Sequence, residues 1–502
     1  MWKWLMSGVS LLGMVVLVAA RYPQSASLAV PPAPASSQTV FVHLFEWTWD
    51  DVAEECEQYL GPMGFQGVQV SPAQEHVVLP QQGYPWWQRY QPVSYRLESR
   101  SGSRQAFAAM VQRCRQAGVR VYADAVINHM AGIDGGTGSG GTAFTKYSYP
   151  GLYQAEDFNA CRRPISDYGN AENVTQCELV GLADLDTASA HVQAQIVAYL
   201  QDLVSLGVGG FRIDAAKHMR SQEIGTILAQ LQQQVGPGLY IYQEVIDPGT
   251  EAIKKQSYYS YGNVIEFEYG RLVSEAFLAQ EGRQLADLVS LGEAWGLAPS
   301  SQAVVFIDNH DKQRGHGGGG NYLTHQQRPL YLLANVFMLA HPYGTPQVMS
   351  SFPFSDSDQG PPADAAGQTR RVHQGSSDTC FQAWVCEHRW TAIGQMVGFR
   401  NATAAFPALT DWWSNGHNQI AFGRGNRGFV VINREAAPLR RTFTTQLPAG
   451  RYCNVIQGGL APSGRSCQGQ AEVITVNAAG QFTAAVASLD AIAIHVEARL
   501  PD

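Results

Sequence analysis

The sequence predicts an α/β chain: a closed (β/α)8 barrel of the TIM type, with a small domain inserted after its third strand and an antiparallel β-sandwich at its C-terminus. Three observations predict it. From Thr39 to about residue 405, short β-branched and aromatic runs alternate with helical patterns through eight strands. The alternation is broken once, from 130 to 188, by a Gly-, Tyr- and Asn-rich stretch too long for a simple loop. After about Pro407 the texture changes to short alternating runs with Gly, Asn and Pro turns: NQIAFGRG, RGFVVINR, GRYCNVI and AIAIHVEA.

Residues 1–20 place Lys3 before an apolar run from Leu11 to Val18 and end in Ala19 and Ala20, the layout of a signal peptide cleaved after Ala20. An uncleaved anchor is the competing reading. Residues 21–38, rich in Pro, Ser and Ala, read as a flexible leader. The barrel is assigned to 39–129 and 189–405, and the C-terminal domain to 406–502. Its strands are read in TVFVHLFEW (39–47), FQGVQVSP (65–72), VRVYADAVINH (119–129), GGFRIDAAKH (209–218), LYIYQEV (239–245), VIEFEYG (264–270), AVVFIDNHD (303–311) and HPYGTPQVMSS (341–351). Helices are read over 51–64, 103–118, 191–207, near 221–235, over 330–340 and in CEHRWTAIGQMVGFR. In the third of these, Val192, Ile196, Tyr199, Leu200 and Leu203 share one face.

The 502 residues carry a net charge of −8 and no basic run, which argues against nucleic acid or an anionic membrane surface as partner. No later stretch is long and apolar enough to cross a bilayer. Eight cysteines behind an export signal favour disulfides over zinc ligands, and hence an extracellular or periplasmic protein.

Polar residues gather at the C-terminal ends of the third, fourth, fifth and seventh strands: Asp124, Asn128 and His129; Arg212, Asp214, Lys217 and His218; Glu244; Asp308, Asn309, His310 and Asp311. In a (β/α)8 barrel these ends share one mouth, where active sites of this fold lie. Taken alone, Arg212 and Asp214 read as a structural ion pair, and His129 or His310 as a satisfied structural histidine. Several acidic groups at one mouth repel one another and need a functional reason.

DAVINH, GFRIDAAKH, YQEV and FIDNHD resemble, in order, the four signature segments of the α-amylase family of glycoside hydrolases. WVCEHRW, AFGRGNRGF and HPYG resemble its animal-type group. The resemblance runs from about residue 40 to the C-terminus. It implies Asp214 as nucleophile, Glu244 as general acid and base, and Asp311 as the group holding sugar hydroxyls at the reacting ring. Such chemistry needs one carboxyl ionised while another keeps its proton. Arg212, two residues from Asp214 on the same strand, is expected to keep it ionised.

The resemblance further implies sugar contacts from His129, Tyr168, Arg212, Lys217, His218, His310 and His316; the glycines of RGHGGGGN, which holds His316, predict a mobile flap, with a plain surface loop as the alternative. In GYPWWQRYQP, Trp86, Trp87 and Tyr90 offer ring faces suited to glucose and Gln91 an amide; a hydrophobic clamp for the loop is the plainer reading. Asn128, Asp184 and the carbonyls of Thr175 and His218 match the ligands of a structural calcium ion. Arg212 and Asn309 match two chloride ligands. Pro353 stands where the third, basic one belongs and offers neither charge nor donor, so chloride activation is not expected. The implied disulfides are Cys56–Cys114, Cys161–Cys177, Cys380–Cys386 and Cys453–Cys467, with Glu98 at one position of a pair that is absent.

The function implied is a secreted, monomeric, calcium-dependent enzyme that cleaves internal α-1,4 bonds of starch, glycogen and maltooligosaccharides with retention. A maltooligosaccharide-forming or transglycosylating relative, and a non-catalytic glucan-binding protein, are the alternatives. Asn173 and Asn401 lie in N-x-T sequons.

Overall fold

In a computed structural model, residues 39–374 and 377–501 are described. The signal peptide and leader read in residues 1–38 lie outside them. Eight parallel strands close a barrel: β1 (Phe41–Leu44), β2 (Gly67–Val70), β3 (Arg120–Ala125), β4 (Gly210–Ile213), β5 (Tyr240–Gln243), β6 (Asn263–Ile265), β7 (Ala303–Val305) and β8 (Thr345–Ser350). Each pairs with its neighbours in sequence, and β8 returns to β1. The helices α1 (Trp49–Glu55), α2 (Arg104–Gln116), α3 (Ala190–Ser205), α4 (Ser221–Val235), α5 (Phe267–Leu278), α6 (Arg328–Ala340) and α7 (Thr391–Thr403) surround it.

Local chemistry sets these elements. The Ser103 hydroxyl caps α2 by accepting from the Ala106 N–H, and Phe107, Met110, Val111 and Cys114 form its buried stripe. α6 is apolar nearly all round because it lies between α7 and the C-terminal sheet.

Every strand is shorter in the sheet than the run read for it, the first spanning Phe41–Leu44 within 39–47 and the third Arg120–Ala125 within 119–129. In the sixth run α5 already begins at Phe267, capped by the Glu266 carboxylate, and in the seventh β7 stops at Val305. Between β5 and β6 the chain makes only a short 3-10 turn, Lys255–Tyr261, where Pro248 and Gly249 break any earlier helix.

The barrel interior is layered. Towards one end Phe41, Tyr122 and Tyr242 pack edge to face at 5.3–5.4 Å. Above them lies a polar layer: Tyr242 Oη donates to Gln69 Oε1 at 2.8 Å, and Gln69 Nε2 donates to Asp124 Oδ2 at 3.3 Å.

The excursion between β3 and α3 holds two small two-stranded sheets, Gly135–Thr137 with Ala143–Thr145 and Cys161–Pro164 with Cys177–Glu178, and the helix Ala171–Gln176. After α7 come β9 (Thr410–Ser414), β10 (Gln419–Arg424), β11 (Gly428–Asn433), β12 (Leu439–Thr444), β13 (Gly450–Cys453), β14 (Val473–Val476), β15 (Gln481–Val486) and β16 (Asp490–His495). The antiparallel sheet β9-β10-β11-β16 and the pairs β12-β15 and β13-β14 enclose a core that includes Phe429, Val431, Phe443, Ile474 and Phe482. Arg424, buried on β10, ties this domain to the barrel layer by donating to Ala340 O at 2.6 Å and Phe406 O at 2.9 Å. All four expected disulfides are present, at Cys56–Cys114, Cys161–Cys177, Cys380–Cys386 and Cys453–Cys467.

Candidate active site

At the C-terminal ends of the strands a cleft of about 430 Å³ opens, with Asp214, Glu244 and Asp311 in its wall. The segment from Gly210 to His218 builds its floor. Gly210 starts β4 where β5 runs so close that a Cβ would come within 2.1 Å of Tyr240 O. Arg212 lies in register between Asp124 on β3 and Tyr242 on β5, pointing inward. After Asp214, Ala215 turns the chain through a left-handed conformation, φ +49°, into the short turn Ala216–His218. That turn aims the Ala215 N–H at Glu244 Oε2, 2.8 Å away.

One guanidinium joins three carboxylates. Arg212 Nη1 lies 2.6 Å from Asp124 Oδ1 and 2.8 Å from Asp214 Oδ1, and its Nη2 lies 2.7 Å from Glu244 Oε1. Asp124 also accepts from Tyr90 Oη at 3.0 Å. Arg212 thus faces Asp124 and Glu244 as well as Asp214, the one partner expected for it from the sequence. Burial, opposed by Arg212 and reinforced by Glu244, pushes the Asp214 carboxyl up to about 7; burial likewise raises Glu244 and takes Asp124 to about 7. Three buried carboxylates around one cation carry excess negative charge, so the cluster holds protons up to near-neutral pH, and its titration belongs to the group as a whole.

Around the carboxyls, His310 stacks on Tyr90 at 5.2 Å and on Phe45 at 5.1 Å, with Trp86 against its edge. Burial, then Arg212, holds its imidazole well below its usual range, so it stays neutral. Burial also lowers His129 to about 4, and the ring's Nε2 meets Tyr90 O at 2.9 Å. Its Nδ1 meets the Asn128 amide at 3.2 Å. A sugar hydroxyl reaching a His129 nitrogen must therefore displace a protein partner.

Trp86, Trp87, Tyr90, Tyr168, Lys217 and His218 line the cleft. Lys217 lies over the Tyr168 ring at 4.9 Å and donates to Ile246 O at 2.6 Å, with Glu251 as its ion-pair partner. Three expected contacts are not in the wall. Gln91 accepts from the Gly132 N–H at 3.0 Å, bracing the loop instead. His316 lies outside the wall that Gly317 and Gly318 form, its ring 5.7 Å from that of Trp86 and its Nε2 3.9 Å from Asp358 Oδ1. Arg212 sits beneath the carboxylates. The wall also contains residues the sequence did not single out: Leu179, Val180, Leu182, Ile246 and Glu251. Val180 is 83 % exposed with φ +46°, a conformation costly for a β-branched residue. In sequence LVGL looks like ordinary core.

Asn128, Thr175, Asp184 and His218 are all buried and come from segments that pack together. Asp184 accepts from Asn159 Nδ2 at 2.8 Å and Asn128 Nδ2 at 3.4 Å, and among the described residues no cation pairs with it. Burial pushes its carboxyl up to about 8. A buried carboxylate without countercharge, among amide and carbonyl oxygens, suits a hard divalent cation such as calcium. The chloride set does not fit an anion. Arg212 is matched by three carboxylates, Asn309 Oδ1 accepts from the Lys312 N–H at 2.8 Å, and Pro353 lies exposed with its carbonyl accepting from Gln359.

A closed parallel barrel that gathers carboxyls, neutral histidines and aromatic rings in one open cleft has the architecture of a barrel glycoside hydrolase. Residues 412–497 match the α-amylase C-terminal all-β domain. The chain is 46 % identical over 477 residues to an α-amylase of Tenebrio molitor, spanning 93 % of this chain and 99 % of that protein. It is 44 % identical to the pancreatic α-amylase of Sus scrofa, spanning 93 % and 96 %. The solved structure of α-amylase I from Eisenia fetida superposes with a TM-score of 0.85 at 41 % identity, covering 92 % of this chain and 98 % of that one. A mutant of that enzyme, solved in a complex with maltohexaose, superposes equally well. The chain belongs to the α-amylase family.

Proposed function

We propose that this protein is a secreted, monomeric α-amylase that hydrolyses internal α-1,4 bonds of starch, glycogen and maltooligosaccharides with retention of configuration. The carrying observation is the sharing of one guanidinium by Asp214 and Glu244. Sharing one guanidinium, with Glu244 also accepting from the N–H of Ala215 next to Asp214, brings the two carboxyls near one another; retaining chemistry uses a close pair, whereas inverting pairs stand further apart to admit a water.

In this reading Asp214 attacks the anomeric carbon and forms the glycosyl ester. Glu244 carries the cluster's proton, gives it to the leaving oxygen, and then takes one from the water that cleaves the ester. Burial favours the protonated form of Glu244, while Arg212 spreads its charge over whichever carboxyls are ionised. Asp311 holds hydroxyls of the reacting sugar, and neutral His310 supplies an N–H donor. Trp87, half-buried, and Tyr168 offer ring faces along the glucan path. Asn128, Asp184 and the carbonyls of Thr175 and His218 would hold calcium, whose charge would then tie the inserted domain to the turn that follows Asp214. No step passes through chloride.

The test is the release of reducing ends from soluble starch by the full-length secreted protein and by Asp214→Asn and Glu244→Gln. Each variant is expected to lose roughly 10²- to 10⁴-fold or more in kcat. Early products should be long. Substantial turnover in either variant, or one short product from the outset, contradicts the reading.

A further inference from the structure

The flap over the cleft contains four consecutive glycines, Gly317–Gly320, every one at positive φ (+64° to +108°), with Gly315 at +75° before them. Such a segment loses much backbone entropy when fixed and has no side chains with which to anchor itself from Gly317 onward. Yet Gly317 and Gly318 form part of the cleft wall, and a Cβ on Gly317 would lie 3.0 Å from Ile246 Cδ1, so the flap is seated on the loop after β5.

Lys312 lies directly beneath it. Its Nζ donates to Gly317 O at 2.5 Å and to Gly319 O at 2.9 Å. The side chain is only 7 % exposed, and its ammonium stands over the rings of Tyr322 at 4.9 Å and Phe267 at 5.5 Å. Among the described residues no carboxylate lies within ion-pair distance of it. A buried ammonium needs hydrogen-bond acceptors, and here the flap carbonyls provide them. Opening the flap takes both away and leaves the charge between two ring faces. We propose that Lys312 is a positioning residue: its ammonium latches the glycine flap in the conformation that completes the cleft wall beside Glu244 and Asp311.

The inference rests on the hydrolase reading for its effect on substrate, but the latch can be measured without it. Hydrogen exchange of the amides at 315–320 in the calcium-loaded full chain is compared for wild type, Lys312→Met and Lys312→Arg, together with kcat and KM on maltohexaose. Lys312→Met keeps the apolar stem and removes the donors. It is expected to speed exchange in the flap at least about tenfold and to raise KM roughly three- to tenfold, with a smaller fall in kcat. Lys312→Arg, which keeps a charged donor, should restore most of both. Unchanged flap exchange in Lys312→Met overturns the latch. So does a lowered melting temperature with exchange quickened uniformly along the chain, because that marks a merely structural lysine. If wild type hydrolyses nothing, the proposed function fails while the exchange comparison still decides the latch.

Discussion

At the scale of single residues, Arg212 is the group on which the others depend. It is fully buried against Asp124, Asp214 and Glu244, and it lowers the two cleft carboxyls against a burial that raises them. The sign of its removal follows. Without the guanidinium, Asp214 gives up its proton only at higher pH, so the acid limb of kcat/KM, which needs ionised Asp214, moves upward. Glu244 also keeps its proton to higher pH, so the alkaline limb moves upward too. Arg212→Gln is therefore expected to shift the whole bell-shaped profile to higher pH, besides lowering its height; a profile that stays in place or moves down contradicts this role. Each of the four polar clusters was legible in sequence because Asp, Glu and His at successive strand ends are rare without a function. What was not legible is that one arginine meets three carboxyls, because Glu244 lies 32 residues away on another strand.

At the scale of elements, the site depends on strands that end early. β4 stops at Ile213, β5 at Gln243 and β7 at Val305, so Asp214, Glu244 and Asp311 all lie beyond the ladder, where the backbone is free to turn. Apolar runs mark where strands exist but not where pairing ends, so all eight strands were read too long. Close approach of β4 and β5 places Arg212 beside Glu244, and Gly210 permits it. Gly210→Ala is expected to destabilise the barrel by about 1–3 kcal/mol or more, since Tyr240 O must move to admit a methyl group. A urea midpoint equal to that of wild type shows the strands have slack there. Likewise the wall residues Leu179, Val180 and Leu182 were missed because only the left-handed turn at Val180, invisible in composition, turns an apolar run toward the cleft.

At the scale of the whole molecule, the barrel order, the excursion after β3 and the C-terminal β-structure were legible because periodicity, loop length and turn chemistry agree in each. The proposed calcium set was not legible from spacing: Asn128, Thr175, Asp184 and His218 include one carboxylate, and two of them would act through backbone oxygens that carry no residue signature. Their packing gives a prediction. An ion bound only by the folded protein adds to stability by mass action, about 2.7 kcal/mol at a hundredfold excess over Kd. Chelation should lower the melting temperature, and Asp184→Asn should remove most of that dependence. An unchanged melting temperature on chelation contradicts the site. The two sequon asparagines also bond within the fold: Asn173 Oδ1 accepts from the N–H groups of Ser166 and Asp167, and Asn401 bonds Thr39 and Gly64.

The central claim is that Asp214 and Glu244 act as a close, retaining pair. Proton NMR of the reducing ends released from soluble starch, recorded before mutarotation, tests it most directly. The account predicts that the first new anomeric signals are those of the α-anomer and that Glu244→Gln gives none. A β-anomer appearing first contradicts it.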